Sequence, residues 1–323
     1  MVEATSAEAI VTQVRNADAN GTPILLVAGG SNLVVGDAGF AGTVLLIRNR
    51  GITHSVDGDD VLVTIQAGHT WDDAVAHAVA SGWSGIECLS GIPGSAGATP
   101  IQNVGAYGQE IAETFAHANV YDRKTGYTEQ FLPHQCRFAY RNSIFKRNER
   151  YIVLDVTYRL RRSDQSAPIR YAETARQLGI EVEQTVDLTR ARETVLKLRQ
   201  GKGMVLDPHD RDTYSVGSFF VNPVVSKTVF TTLQETIGQI PPHWPSGDDV
   251  KLSAAWLIGQ AGFARGHGRD GVAISTKHTL ALTNRGNGST QALLALAAEV
   301  RDGVHTKFGV ELRPEPVLVN ADF

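Results

Sequence analysis

The sequence predicts a multidomain globular chain that mixes helices with strands, of α+β or α/β class. Three observations carry that expectation. At 323 residues the chain exceeds one ordinary core and suggests about two or three packed units. Apolar residues fall in some stretches at helical spacing and in others as short strand-length runs. The 32 glycines exceed the ~7% typical of folded proteins, and many gather in one long segment.

Residues 7–18 carry Ile10, Val11 and Val14 at helical spacing, with Asn20-Gly21 as a stop and Pro23 before the apolar run Ile24–Val27. This reads as helix, turn, buried strand. Strands are expected at Val44–Ile47 and Val61–Ile65, the second leading through Gly68 into a helix that begins near Trp71. Between Ser84 and Gly108 glycine and proline are too frequent for either element, and so long a loop in a compact protein is usually functional. Strands resume around Ala118–Tyr121 and at Tyr151–Leu160, where Ile152, Leu154, Val156, Tyr158 and Leu160 alternate.

A helix at about Ala191–Gln200 ends at Gly201-Lys202-Gly203, where a domain boundary is placed. Beyond it the pattern predicts a strand around Gly217–Val221, a proline-rich turn at Pro241–Pro245, a helix over Ser253–Ala261 and a long helix over Thr290–Phe308. Leu293, Leu296, Ala297, Val300, Val304 and Phe308 share one face of that last helix, as core packing requires.

The net charge of −4, without a dense basic block, argues against a general nucleic-acid binder. Cys88 and Cys136 lie in neither a C-x-x-C nor a metal-type spacing, which favours a reducing compartment, and cytoplasm is expected. The first residues lack a signal peptide's basic flank and apolar stretch, and no apolar run nears the ~20 residues of a membrane span. None of the ten histidines forms H-E-x-x-H or a similar pair, so no metal is assigned.

Gly29-Gly30-Ser31-Asn32 directly follows the strand Ile24–Val27, and glycines there let backbone N–H groups approach an anion. This run does not have the G-x-G-x-x-G spacing, and no G-x-x-x-x-G-K-[ST] is present in the chain. Alone, the run is best read as a strand-ending turn. The second loop, Ser90–Gly108, shifts the balance, because two glycine loops after strands can clamp one pyrophosphate.

Together the loops resemble the flavin-binding domain of the vanillyl-alcohol-oxidase and p-cresol-methylhydroxylase superfamily, and within it the UDP-N-acetylenolpyruvoylglucosamine reductases of peptidoglycan synthesis. Further blocks carry the same resemblance in order: Tyr140–Lys146, Gly217–Pro223, Lys251–Ile258 and Pro314-Glu315. It implies an α+β fold. An FAD-binding domain of the p-cresol-methylhydroxylase type would span 1–203, with subdomains of about 1–53 and 54–203. A smaller α+β substrate-binding domain would span 204–310, and 311–323 would return to the active site.

By the same resemblance, FAD would be held by Gly29, Gly30, Ser31, Asn32 and Leu33 from the first loop. The second would supply Gly91, Ile92, Pro93, Gly94, Ala98, Thr99, Gln102, Asn103, Gly105, Ala106, Tyr107 and Gly108. Ser31-Asn32 stands where many superfamily oxidases carry a flavin-linking histidine, so the FAD is expected to be non-covalent. NADPH is the implied co-substrate, the other ligand is a small sugar nucleotide, and a monomer is expected.

Arg141, Ser218 and Glu315 match the family's catalytic set. Reducing an enol ether conjugated to a carboxylate sends hydride to the terminal vinyl carbon and leaves an enolate to be held and protonated. A guanidinium at Arg141 can fork onto that carboxylate. Ser218 could protonate the carbanion carbon. Glu315 could serve the same group as a carboxyl that keeps its proton or as part of an acid relay. Tyr140, Tyr171, Lys202, Asn222 and Gln260 match substrate contacts, Tyr171 on a substrate-covering loop.

Taken singly, each of these has a plainer reading: an Arg snorkelling over an aromatic, a strand hydroxyl bonded to backbone, a solvated Glu, a helix-end cation at Lys202. Two other functions share the fold: a related FAD-dependent sugar or alcohol oxidase, and a non-catalytic nucleotide-sugar-binding relative. The stretch Asp207–Ser215 is longer and more polar than the resemblance leads one to expect.

Overall fold

The computed structural model describes all 323 residues, which divide into two compact units: Met1–Gly30 with Phe40–Gly201, and Ser31–Gly39 with Lys202–Phe323.

In the first unit the strand Val2–Ala4 leads into the helix Ala7–Ala19, started by Ser6, whose Oγ accepts the Ala9 N–H at 3.1 Å. Ile10, Val14 and Ala17 lie one turn apart and are buried. They face a three-stranded parallel sheet in which Thr43–Ile47 lies between Val2–Ala4 and Ile24–Val27. A helix between parallel strands is the connection such pairing demands.

A larger antiparallel sheet orders its strands Tyr127–Phe131, Phe115–Asp122, Tyr151–Arg162, Asp60–Gln66, Ile52–Asp57. In Asp60–Gln66 the alternate residues Val61, Val63 and Ile65 are buried against the helix Trp71–Ala80. Tyr151–Arg162 is buried on both faces. Ile152 and Leu154 join the first sheet's core, while Val153, Val156, Tyr158 and Leu160 join the Trp71 core.

The Ser84–Gly108 segment folds as short turns at Glu87–Leu89, Ala96–Ala98 and Pro100–Gln102, followed by a small hairpin that pairs Gly105–Ala106 with Gln109–Glu110. The helices Ala172–Leu178 and Leu188–Gly201 close the unit around Ile169, Leu178, Ala191 and Val195.

The second unit holds a four-stranded sheet ordered Ser215–Ser218, Ala281–Asn284, Val272–Ile274, Gly268–Arg269, and a three-stranded one ordered Val224–Val225, Asp249–Leu252, His243–Ser246. The helix Thr290–Phe308 buries Leu296, Ala297, Val300 and Val304 in their core. Ser289 caps its start, and Gly309, at φ +66°, ends it.

Three expectations need correction. Ser31–Gly39, placed by the sequence in the first domain, groups with the second unit because Leu33–Val35 pairs in parallel with Val317–Val319. The Asp37 carboxylate also accepts the Thr290 and Gln291 N–H groups at that helix's start. Pro241–Pro245 is only partly a turn, since His243–Ser246 forms an edge strand, where proline is tolerated. The strand expected at Gly217–Val221 runs instead over Ser215–Ser218, with an irregular register and Gly217 at φ +77°.

Candidate active site

The two glycine runs meet in the first unit. A Cβ on Gly29 would lie 2.8 Å from the Cα of Gly94, a backbone-to-backbone approach that only glycine permits. The second loop is held by its neighbours. Gly94 O accepts the Trp71 N–H at 3.0 Å, and the N–H groups of Ala96 and Gly97 reach His69 O and Ala67 O. A cradle lined by backbone fits the diphosphate of FAD, which needs N–H donors free of intervening side chains.

Two side chains expected around the cofactor are bonded to other parts of the protein. Thr99 donates to Ala96 O and meets the Tyr158 hydroxyl at 2.5 Å. Asn103 donates to Glu110 and to Ala139 O, and accepts the Ala112 N–H. These two shape the loop from inside.

Two carboxylates that sequence reasoning missed support this loop. Asp72 accepts the Gly91 N–H at 2.6 Å and a two-pronged contact from Arg192 at 2.6 and 2.9 Å. Burial pushes its carboxyl up, but the bonds from Arg192 and Gly91 outweigh that and hold it below the usual range. Glu87 is fully buried with no cation among its bonded partners. It accepts the N–H groups of Gly85 and Ala167, both at 2.6 Å, and the Gln109 amide at 3.1 Å. Neither stands out in the sequence, since most of their partners, Arg192 and Gly91 for Asp72 and Gln109 and Ala167 for Glu87, lie far along the chain.

Arg141 stands at the tip of a tight turn closed by Ala139 and Asn142, in the left-handed region at φ +51°. That conformation is costly for a residue with a side chain. Its guanidinium donates to Gly105 O at 2.7 Å and lies over the Tyr140 ring, while its own carbonyl accepts Lys146 Nζ at 2.8 Å. Arg141 therefore rests directly on the second glycine loop. Tyr171, exposed, meets Tyr107 edge-on with ring centres 5.5 Å apart, and burial pushes the Tyr107 phenol up to about 12.

In the second unit Ser218 pairs with Ala281, and Phe219 donates to Leu280 O at 2.7 Å. On the other side Phe219 O accepts the Glu315 N–H at 2.8 Å, and Val221 donates to Arg313 O at 3.1 Å. Ser218 and Glu315, far apart in sequence, thus sit on neighbouring backbone segments, both half-buried. Asn222 Oδ1 accepts the Ala254 N–H and helps start the helix Ala254–Gln260, at whose end Gln260 is exposed. Lys202 is half-buried at the beginning of this unit.

No helix is long and apolar enough to cross a membrane. Residues 1–130 match the FAD binding domain family, and residues 207–319 match the C-terminal domain of UDP-N-acetylenolpyruvoylglucosamine reductase. The chain is 57% identical to the UDP-N-acetylenolpyruvoylglucosamine reductase of Salinispora arenicola, over 99% of this chain and 90% of that one. It is 54% identical to the enzyme of the same name from Streptomyces coelicolor, over 99% and 85%. A crystal structure of UDP-N-acetylenolpyruvylglucosamine reductase from Thermus caldophilus shares the fold at a TM-score of 0.63 and 22% identity, covering 98% of this chain and 91% of that one.

Proposed function

This chain belongs to the family of UDP-N-acetylenolpyruvoylglucosamine reductases, and on that premise we propose how its residues carry the reaction. It is an FAD-containing oxidoreductase that reduces the enolpyruvyl ether of UDP-N-acetylglucosamine to UDP-N-acetylmuramate. The oxidase and binding-protein readings draw no support, since full-length relatives carry the reductase name.

FAD, when bound, supplies hydride from N5 and is renewed by NADPH. Gly29, Gly30 and the backbone of Gly91–Gly108 would hold its diphosphate. Arg141 holds the substrate carboxylate, and with it the negative charge that hydride addition leaves on the enolate. Ser218 donates its hydroxyl proton to the carbon bearing the carboxylate: the O–H bond breaks, the C–H bond forms, and the hydroxyl regains a proton from water. Glu315 acts on the same charge, as an acid or as a link in an acid relay. Tyr140, Tyr171, Lys202, Asn222 and Gln260 contact the sugar nucleotide. Two free, buried cysteines are consistent with a cytoplasmic setting.

The observation that supports these residue roles is the hydrogen bond from Glu315 N–H to Phe219 O, beside Ser218. The experiment is anaerobic. NADPH should bleach the purified flavoprotein, and the enolpyruvyl sugar nucleotide should restore its colour. Flavin that stays reduced after the sugar nucleotide is added overturns the reading.

A further inference from the structure

The polar stretch Asp207–Ser215 leads straight into the strand that carries Ser218. It is tightly tied. Asp210 starts the turn Arg211–Thr213 by accepting the Asp212 N–H at 2.9 Å, and its other oxygen takes Lys277 Nζ at 2.5 Å. Thr213 Oγ1 lies 2.9 Å from Asp207 O and 2.7 Å from Asp210 O.

Asp212 is 6% exposed and meets a second set of partners. Its Oδ1 accepts the Thr276 N–H and Arg285 Nη1, both at 2.9 Å, and its Oδ2 accepts the Thr276 hydroxyl at 2.5 Å. Thr276 precedes and Arg285 follows Ala281–Asn284, the strand on which Ser218 is paired. One carboxylate therefore ties the turn that enters that partner strand, and the residue that leaves it, to the loop that feeds Ser218. Asn284 N–H adds a bond to Tyr214 O at 2.9 Å.

Such bracing matters because the Ser218 ladder is irregular. Ser215 faces Thr283 and Ser218 faces Ala281, so one strand carries an extra residue, and Gly217 takes up the bend at φ +77°. A bulge of this kind re-aims the side chain beside it and leaves ladder bonds unmade, so the side chain's direction must be set from outside.

We propose that Asp212 is a positioning residue for the reductive step, its carboxylate holding the bulged strand so that the Ser218 hydroxyl meets the carbon it protonates. This rests on Ser218 being the proton donor. Burial pushes the Asp212 carboxyl up, but the Thr276 bonds and the Arg285 charge prevail and keep it low, so it is ionised at neutral pH. An amide in its place would turn an N–H₂ toward donors and leave one of them unmet.

The test uses the flavin-loaded enzyme, with Asp212→Asn, Thr276→Val and Ser218→Ala compared in anaerobic rapid mixing. Flavin reduction by NADPH should match the parent in all three. Reoxidation by the enolpyruvyl sugar nucleotide should slow about tenfold in Asp212→Asn and about threefold in Thr276→Val, as expected for a charged contact and a single hydroxyl bond. The solvent deuterium isotope effect on that phase should rise in both, since proton transfer becomes more limiting.

Melting temperature and flavin content report folding. If Asp212→Asn does not fold, Thr276→Val carries the comparison. Unchanged reoxidation in the folded variants, or equal slowing of both half-reactions, overturns the proposal. Normal reoxidation in Ser218→Ala overturns the proton-donor reading beneath it, so the two failures are distinguishable.

Discussion

Gly29 meets Gly94 with no side chain between them, whereas Ser218 and Glu315 are side chains presented from neighbouring segments of backbone. The first region works by what is missing: an atom added at Gly29 meets the backbone of Gly94. In the second region, on the roles proposed for Ser218 and Glu315, it is the atoms present that act, and removing one oxygen should remove the chemistry. The two regions should therefore fail in opposite ways, one through additions and the other through deletions.

The largest expected effect tests the second half of that contrast. Ser218→Ala should leave flavin content and reduction by NADPH intact while slowing reoxidation by the enolpyruvyl sugar nucleotide by at least ~10², the scale of a lost general acid. Loss of flavin in this variant would break the contrast, because a deletion in one region would then empty the other.

Gly29→Ala is the complementary test and should act on retention. A methyl group 2.8 Å from the Gly94 Cα forces the loops apart at about 1–3 kcal/mol, which corresponds to about 5–150-fold weaker FAD binding. Fluorescence titration of the stripped protein with FAD measures it, with circular dichroism to show that the fold survives. Tight FAD binding by Gly29→Ala would show that the meeting of the glycine runs does not matter to the cofactor.

The smallest effect concerns stability alone. The hydrogen bond from Arg150 holds the buried Asp122 carboxyl down at about 2, against 3.8 for the ordinary group. A folded-state value below the unfolded one adds stability above about pH 4, and that stability is lost as pH falls toward about 2. Asp122→Asn should make the melting temperature less steep between these pH values and leave flavin content at neutral pH unchanged. A steepness equal to the parent's would mean that the ion pair does not contribute.

Much of the fold was legible because it depends on short stretches of chain. The helix Thr290–Phe308 was readable from its apolar spacing, and the structure adds the Ser289 cap and the Gly309 stop. The irregular Ser84–Gly108 segment was readable from glycine and proline content. Arg141, Ser218 and Glu315 were legible only through resemblance, since each alone reads as an ordinary surface or strand residue. Asp72, Glu87 and Asp212 were not legible, because each bonds groups distant in sequence, such as Arg192, Ala167 and Arg285.

By itself the sequence determined the helices, most strands and the two glycine runs, because periodicity, capping and backbone freedom act within a few residues. Its motifs identified the family. Tertiary structure alone decided that Ser31–Gly39 joins the second unit through Leu33–Val35 and Val317–Val319, that Gly29 closes on Gly94, and that Asp212 braces the strand of Ser218. The physical reason is common to all three: strand pairing, backbone approach and buried hydrogen bonds are satisfied by whichever groups the folded chain brings together, and no local pattern specifies those partners.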